Sequence, residues 1–303
     1  MRICSLVPAA TEVLFALRLG DSVVAVTHEC DHPPEATARA AVTASVLDTS
    51  ELSSAEIDAA VADAAREGLP LYAVDAKAWA AVEPDTVVVQ ETCRVCAVTT
   101  DELGEVVRAR ELEVEIVPYS PRTLDEILVS IVGLGVRLGA ESQADDLTGG
   151  MRARFRRVEA ALADVETRPQ VFVSEWLDPP YSAGHWVPDM VALAGGWDVA
   201  GTAGEPSYRM RWSDVAALDP NVVVLAPCGF DLDRTLDEVS TFELSAQLLG
   251  TSARQESRVF AVDGNANFSR AGPRVADGVE LLAHLIHPGR YPDPGAAWSR
   301  VRL

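Results

Sequence analysis

Residues 83–89 read EPDTVVV and residues 219–225 read DPNVVVL, one local pattern used twice in a chain of 303 residues. In each copy an acidic residue and a proline end a short helix, and a run of valines then enters a strand. Such β-branched, uninterrupted apolar runs fit strands covered on both faces, as in a parallel sheet between helices. Two copies predict two α/β halves.

The flanking segments extend each half. Before the first copy, Ile3–Val7 reads as a strand, Val13–Leu17 as a helix stopping at Gly20, and Ser22–Thr27 as a second strand entering a polar loop. Ser53-Ser54-Ala55-Glu56 is a capping-box pattern for a helix reaching about Glu67. After a strand at 114–117 the pattern is helical from about Leu124 to Leu138 and again from about Ser142 to Val165, a rod of roughly 35 Å at 1.5 Å per residue. The second half then adds strands at 171–174, 222–225 and 259–262, with helices at 187–193, near Leu236 and at 273–286. The expected class is α/β: two Rossmann-like lobes with mostly parallel sheets, joined by a single long interdomain helix. The expected divisions are 1–121, 122–167 and 168–303. Ligands of open parallel sheets gather beyond the carboxyl ends of the strands, which is where the unusual loops of this chain fall.

A formal charge of −21 argues against nucleic acid and anionic membrane as partners, since both are bound through clustered Lys and Arg. No stretch approaches the roughly 20 apolar residues of a membrane span. The N-terminus shows neither a signal-peptide pattern nor a lipoprotein cysteine behind an apolar segment. With five scattered cysteines as well, the expected location is the cytoplasm as written, and outside it only if an export signal has been removed.

In this order the motifs Ser5-Leu6-Val7-Pro8-Ala9-Ala10-Thr11-Glu12, Glu83-Pro84-Asp85-Thr86-Val87-Val88, Trp176-Leu177-Asp178-Pro179-Pro180-Tyr181, Asp219-Pro220-Asn221-Val222-Val223-Val224 and Ala271-Gly272-Pro273-Arg274 resemble the class III periplasmic-binding-protein superfamily, the cobalamin, siderophore and haem receptors of ABC importers, over nearly the full chain. Thr27-His28-Glu29-Cys30-Asp31-His32-Pro33-Pro34, Cys93-Arg94-Val95-Cys96-Ala97-Val98 and Gly184-His185-Trp186-Val187-Pro188-Asp189-Met190 are similar to stretches of the subgroup labelled cobalamin-binding proteins. The resemblance implies a ligand held in a cleft between two lobes. It also implies acidic residues docking on a permease, with Asp101, Glu102 or Glu105 on the first lobe and Asp231, Asp233 or Glu238 on the second as candidates. Where enterobacterial-type cobalamin receptors place an aromatic residue, this chain has Gln90, and a cysteine pair follows it.

Residues able to do chemistry fall in two groups. His28, Cys30, Cys93 and Cys96 would converge if their strands are parallel neighbours, and three thiolates with one imidazole suffice for zinc or iron. One Cys-x-x-Cys is half a zinc site, so pocket or structural thiols are the competing reading. Ala97 after Cys96 argues against thioether-bound haem, and a redox role for the pair finds no other support. In the second half, Trp176, Tyr181, Trp186 and Phe268 offer flat faces for a macrocycle, or else pack the core. His185, Asn267 and Arg270 would fix polar groups of a ligand, His28 would offer an axial ligand to its metal, and Gln90 would also line the ligand site. Glu29, Glu91 and Glu175 lie near strand ends, but no nucleophile elbow, phosphate loop or His-Glu-x-x-His accompanies them. The function expected is an ABC-importer substrate-binding protein for a cobalamin-like corrinoid or another metal chelate, siderophore or haem. The alternative is a cytoplasmic metal-binding protein or enzyme that reuses the fold with the Cys/His set.

Overall fold

The computed structural model describes residues 1–90 and 114–303. Both valine runs are buried strands, Thr86–Val89 and Val222–Leu225, and each lies inside a parallel sheet. The turn before each run explains why the pattern recurs. Glu83 and Asp219 end the preceding helices with φ of 38° and 45°, the left-handed region that stops a helix. The next Asx side chain then aligns the neighbouring strand: Asp85 Oδ1 accepts from the Arg2 N–H at 2.9 Å, and Asn221 Oδ1 accepts from the Gln170 N–H at 2.9 Å. In each copy the backbone N–H of that Asx residue returns the bond to the same neighbour's carbonyl, Arg2 or Gln170. Two reciprocal bonds at the mouth of each strand set its register.

The chain divides into two compact units. The first comprises Met1–Leu52, Ala59–Pro121 and Ile127–Gly149; the second comprises Ser53–Asp58, Arg122–Glu126 and Gly150–Leu303. In the first unit, Ala40–Ala41, Val23–Val26, Ile3–Ser5, Thr86–Val89 and Glu115–Pro118 form a sheet in that spatial order, every pair parallel. One core cluster there gathers Cys4, Leu6, Trp79, Val87 and Val89, so the Cys4 thiol is ordinary packing, and burial pushes its pKa well up. A short antiparallel pair, Thr43–Ser45 with Tyr72–Val74, was not expected, because two- and three-residue strands produce no readable alternation.

In the second unit the order is Trp197–Asp198, Gln170–Trp176, Val222–Leu225, Val259–Val262 and Trp298–Arg300, parallel except for the last strand. Phe172, Leu177, Trp212, Val223 and Leu248 fill the core on one side, and the helix Val275–Ile286 presents ten buried residues. The expected class, two α/β halves with mostly parallel sheets, is the one observed. The long helix runs Glu141–Ala161, ending four residues short of the expected Val165, and Gly149-Gly150 does not interrupt it. Its residues up to Gly149 belong to the first unit and those from Gly150 to the second. Within the second unit Arg154 of this helix bonds Asp277 and Glu280 of the helix Val275–Ile286. The capping box is formed as expected: Ser53 N–H donates to Glu56 Oε2, and Glu56 N–H to Ser53 Oγ. No helix among the described residues is long and apolar enough to cross a membrane.

Candidate functional site

The expected site residues separate into groups. In the first unit, His28 follows the strand Val23–Val26 and is held on both ring nitrogens: Nδ1 lies 2.8 Å from Thr43 Oγ1 and Nε2 lies 3.3 Å from Glu29 Oε1. Cys30 is buried, with its Sγ 3.2 Å from the hydroxyls of both Thr11 and Thr27. Gln90 is partly buried at the end of Thr86–Val89. Cys93 and Cys96 lie outside the described residues, as do Glu91, Asp101, Glu102 and Glu105. Among the described residues, no group of three or more His, Cys, Asp or Glu side chains is arranged to hold a metal ion.

In the second unit the loops after Gln170–Trp176, Val222–Leu225 and Val259–Val262 carry the remaining candidates. The polar ends of the first two aromatics are already engaged. Trp176 Nε1 donates to the Ser54 carbonyl at 3.0 Å, and Tyr181 Oη donates to Asp58 Oδ1 at 3.0 Å. Asp58 also pairs with Arg209 at 3.2 Å. Glu238, expected as a docking acid, instead accepts from the Ser54 N–H and hydroxyl, so it is not a free surface charge. Asp231 caps the helix Leu232–Thr241 and Asp233 stands in its first turn, both exposed.

The expectation for Phe268 needs correction. It is 1% exposed and among the largest fully buried side chains, so it has no face to stack on a ligand. Its carbonyl accepts from Trp186 Nε1 at 2.8 Å. Asn267 and Arg270 are also interior, each 6% exposed, although their polar type and strand-end position had marked them as ligand-facing. Burial there is set by packing that the local pattern does not carry, with the helix Val275–Ile286 lying against Asn267 at Gly278.

His185 and Trp186 are different. Both are partly buried, their rings 5.8 Å apart, and Trp186 is anchored through its indole nitrogen. His185 has φ of 51°, a left-handed conformation uncommon outside glycine, which is found where the surroundings impose it. Its N–H donates to the Glu205 carbonyl at 2.7 Å, and its carbonyl accepts from the Gly204 N–H at 2.9 Å. Burial, then the nearby Arg122 charge, pushes the imidazole pKa down, so the ring is neutral at pH 7. Arg122 was missed in the sequence; it belongs to the second unit, where its guanidinium donates to the Gly204 carbonyl at 2.6 Å.

Beneath this turn lie two carboxyl groups. Glu175 Oε1 accepts from the Gly184 N–H at 3.0 Å, and burial pushes its pKa up to about 8 against that hydrogen bond, with Cys228 adding to the rise. Asp198 is pushed up to about 6 by burial, although Oδ1 accepts from the Ala200 and Gly201 N–H groups. A cavity of about 260 Å³, lined by Leu162, Val165, Arg168, Leu193 and Gly195 among others, lies at the amino end of the strand Gln170–Trp176, the opposite end from these loops.

Comparison with known proteins gives a consistent result. The family model described as periplasmic binding protein matches residues 3–266. An uncharacterized ABC transporter substrate-binding lipoprotein of Bacillus subtilis, YvrC, is 23% identical over 302 aligned residues, covering 96% of this chain and 82% of the relative. Among solved structures, a periplasmic haem-binding protein from Pseudomonas aeruginosa superposes with a TM-score of 0.72 at 20% identity, covering 96% of this chain and 94% of that one. The periplasmic vitamin B12-binding protein BtuF of Vibrio cholerae gives 0.68 at 21% identity, over 94% and 96% of the two chains. These matches overturn the cytoplasmic location expected from the N-terminal residues and the cysteines: the family is periplasmic and the Bacillus relative is a lipoprotein.

Proposed function

Because the chain belongs to the periplasmic binding protein family, we propose that it is the substrate-binding protein of an ABC importer and takes a cobalamin-like corrinoid or another metal-bearing chelate, haem or siderophore. The family is one of binding proteins rather than enzymes. The observation that carries the ligand reading is the His185–Trp186 pair, a neutral imidazole in an imposed backbone conformation beside an anchored indole. A neutral imidazole offers a lone pair to a metal or to a donor on a ligand side chain, and an indole face suits a flat macrocycle. Arg122 beside them supplies a cation for a peripheral carboxylate or phosphate. The kinship with haem-binding and vitamin B12-binding proteins supports the same class of ligand.

The partner is an ABC permease, a reading supported by the Bacillus relative. Of the second-unit acids, Asp231 and Asp233 are the ones exposed to meet it, whereas the Glu238 carboxylate is taken up by Ser54. Titration of the purified protein with cyano- and hydroxocobalamin, followed by corrin absorption, tests the ligand. Saturable binding at micromolar protein is expected for a corrinoid receptor; its absence would move the reading to haem and ferric siderophores, which form the next arms of the same titration.

A further inference from the structure

The turn bearing His185 is fixed at four backbone groups. The Gly184 carbonyl accepts from the Val187 N–H at 3.0 Å, and the His185 N–H and carbonyl pair with Glu205 and Gly204. Those three contacts are backbone to backbone. The fourth group, the Gly184 N–H, is held by the Glu175 side chain.

Glu175 reaches it because of a register shift. In the antiparallel pair formed by Gln170–Trp176 and Tyr181–Ser182, Ser174 opposes Ser182 and Trp176 opposes Tyr181, so Glu175 is the extra residue. A bulge re-aims the side chain of its extra residue and occurs where a site needs one. Here the carboxyl comes under the turn that follows. Gly184 is packed so tightly that an added Cβ would stand 2.3 Å from the Ser207 nitrogen, and Ser207 also hydrogen-bonds the Glu175 side chain. One carboxyl therefore clamps the two strands of the loop, 182–186 and 204–208, against each other.

We propose that Glu175 is a positioning residue for His185: its carboxyl holds the Gly184 N–H against Ser207 and thereby fixes the imidazole toward the ligand. The inference rests on the reading of His185 as ligand-facing. Burial favours the neutral form of Glu175 over the opposing Gly184 and Ser207 hydrogen bonds. Asp198 on the adjacent strand and Cys228 on the loop after Val222–Leu225 both disfavour a second negative charge, and Arg122 acts on His185 rather than on Glu175. The Glu175 carboxyl accepts from the Gly184 N–H and from the Ser207 hydroxyl, and a hydroxyl can also serve as acceptor. A glutamine amide would reproduce both contacts.

The test compares wild type, Glu175→Gln and Glu175→Ala by two readouts. One is the nuclear magnetic resonance signals of the Gly184 amide and the His185 ring in ligand-free protein from pH 6 to 9. The other is affinity for hydroxocobalamin and haem. In wild type the amide and ring are expected to move together through a step near pH 8, which Glu175→Gln abolishes. Glu175→Ala is expected to displace the ring signals and weaken binding about tenfold, with Glu175→Gln within about threefold of wild type at pH 7. The proposal is overturned if Glu175→Ala leaves the His185 signals in place, if folded Glu175→Gln does not restore them, or if the step survives in Glu175→Gln. Should wild type bind neither ligand, the ligand reading falls, and the ligand-free signals still decide the role of Glu175. Should Glu175→Ala not fold, the Glu175→Gln comparison and the pH step decide it.

Discussion

Gly184→Ala is the substitution from which the site geometry forecasts most. The new Cβ would lie 2.3 Å from Ser207 N and 2.9 Å from both Pro206 C and Ser207 Cα, all backbone atoms that no rotamer change can remove. Carbon contacts settle at roughly 3.5–4.0 Å, so the two strands of the loop must part by about 1 Å. The bonds crossing that gap are Ser182 N–H to the Tyr208 carbonyl at 3.0 Å, Tyr208 N–H to Ser182 Oγ at 3.1 Å, and the Glu205 and Gly204 pairs of His185 at 2.7 and 2.9 Å. A further 1 Å stretches most of them past hydrogen-bonding range. Two lost bonds at about 1 kcal/mol each, with overpacking of about 1–3 kcal/mol, give a destabilisation of about 3–5 kcal/mol. Urea unfolding followed by tryptophan fluorescence measures it, and cobalamin titration measures the accompanying loss of binding. Gly150→Ala is the control: its Cβ meets nothing within 4 Å inside the helix Glu141–Ala161, so a gain of about 0.5–1 kcal/mol is expected. A Gly184→Ala protein within about 1 kcal/mol of wild type would refute the close-packed loop.

The other expectations concern charge and backbone. His185→Gly removes the ring but suits φ of 51°, so stability should hold or rise by up to about 1 kcal/mol while ligand affinity falls, a split visible by denaturation and titration on one sample. Glu280 is buried, which pushes its carboxyl pKa up, but the Arg154 and Tyr291 hydrogen bonds with the Arg154 and Arg157 charges outweigh this and hold it below its ordinary value. The stability from that network is present above the unfolded-state pKa and is lost as pH falls through the folded one; Glu280→Ala should cost about 2–4 kcal/mol in denaturant melts at pH 7 and much less in acid. Glu175 behaves oppositely. Its folded pKa of about 8 stands above the ordinary 4.5, so its contribution is complete below 4.5 and lost as pH rises to about 8, on the order of 5 kcal/mol. Wild type should therefore lose more stability between pH 5.5 and 8.5 than Glu175→Gln does, as read from urea midpoints.

What the sequence made legible was local. The two acid-proline-valine turns carry their helix stop, their strand and even the Asx residue that sets register within a few positions, and the helix Leu124–Leu138 follows directly from its periodicity. The candidate site was legible in part: the loops at the strand ends, with His185 and Trp186 among them. What escaped notice depends on partners far along the chain. Trp176 and Tyr181 are engaged by Ser54 and Asp58, 122 and 123 residues away, and nothing near any of the four announces the contact. Phe268 and Arg270 read as a polar-rimmed ligand loop because burial belongs to the packing above them, not to their own pattern. The location was misread because an N-terminal segment is an address label, whereas the fold shared with periplasmic relatives is a property of the whole chain.

Isothermal titration of the purified protein with hydroxocobalamin, haem and a ferric siderophore in parallel bears most directly on the binding function, with His185→Ala alongside. One-to-one saturable binding of one of these ligands, weakened about tenfold or more by His185→Ala, is the result expected. No saturable heat with any of the three at micromolar protein, or binding indifferent to His185, would contradict the assignment of this loop as the ligand site.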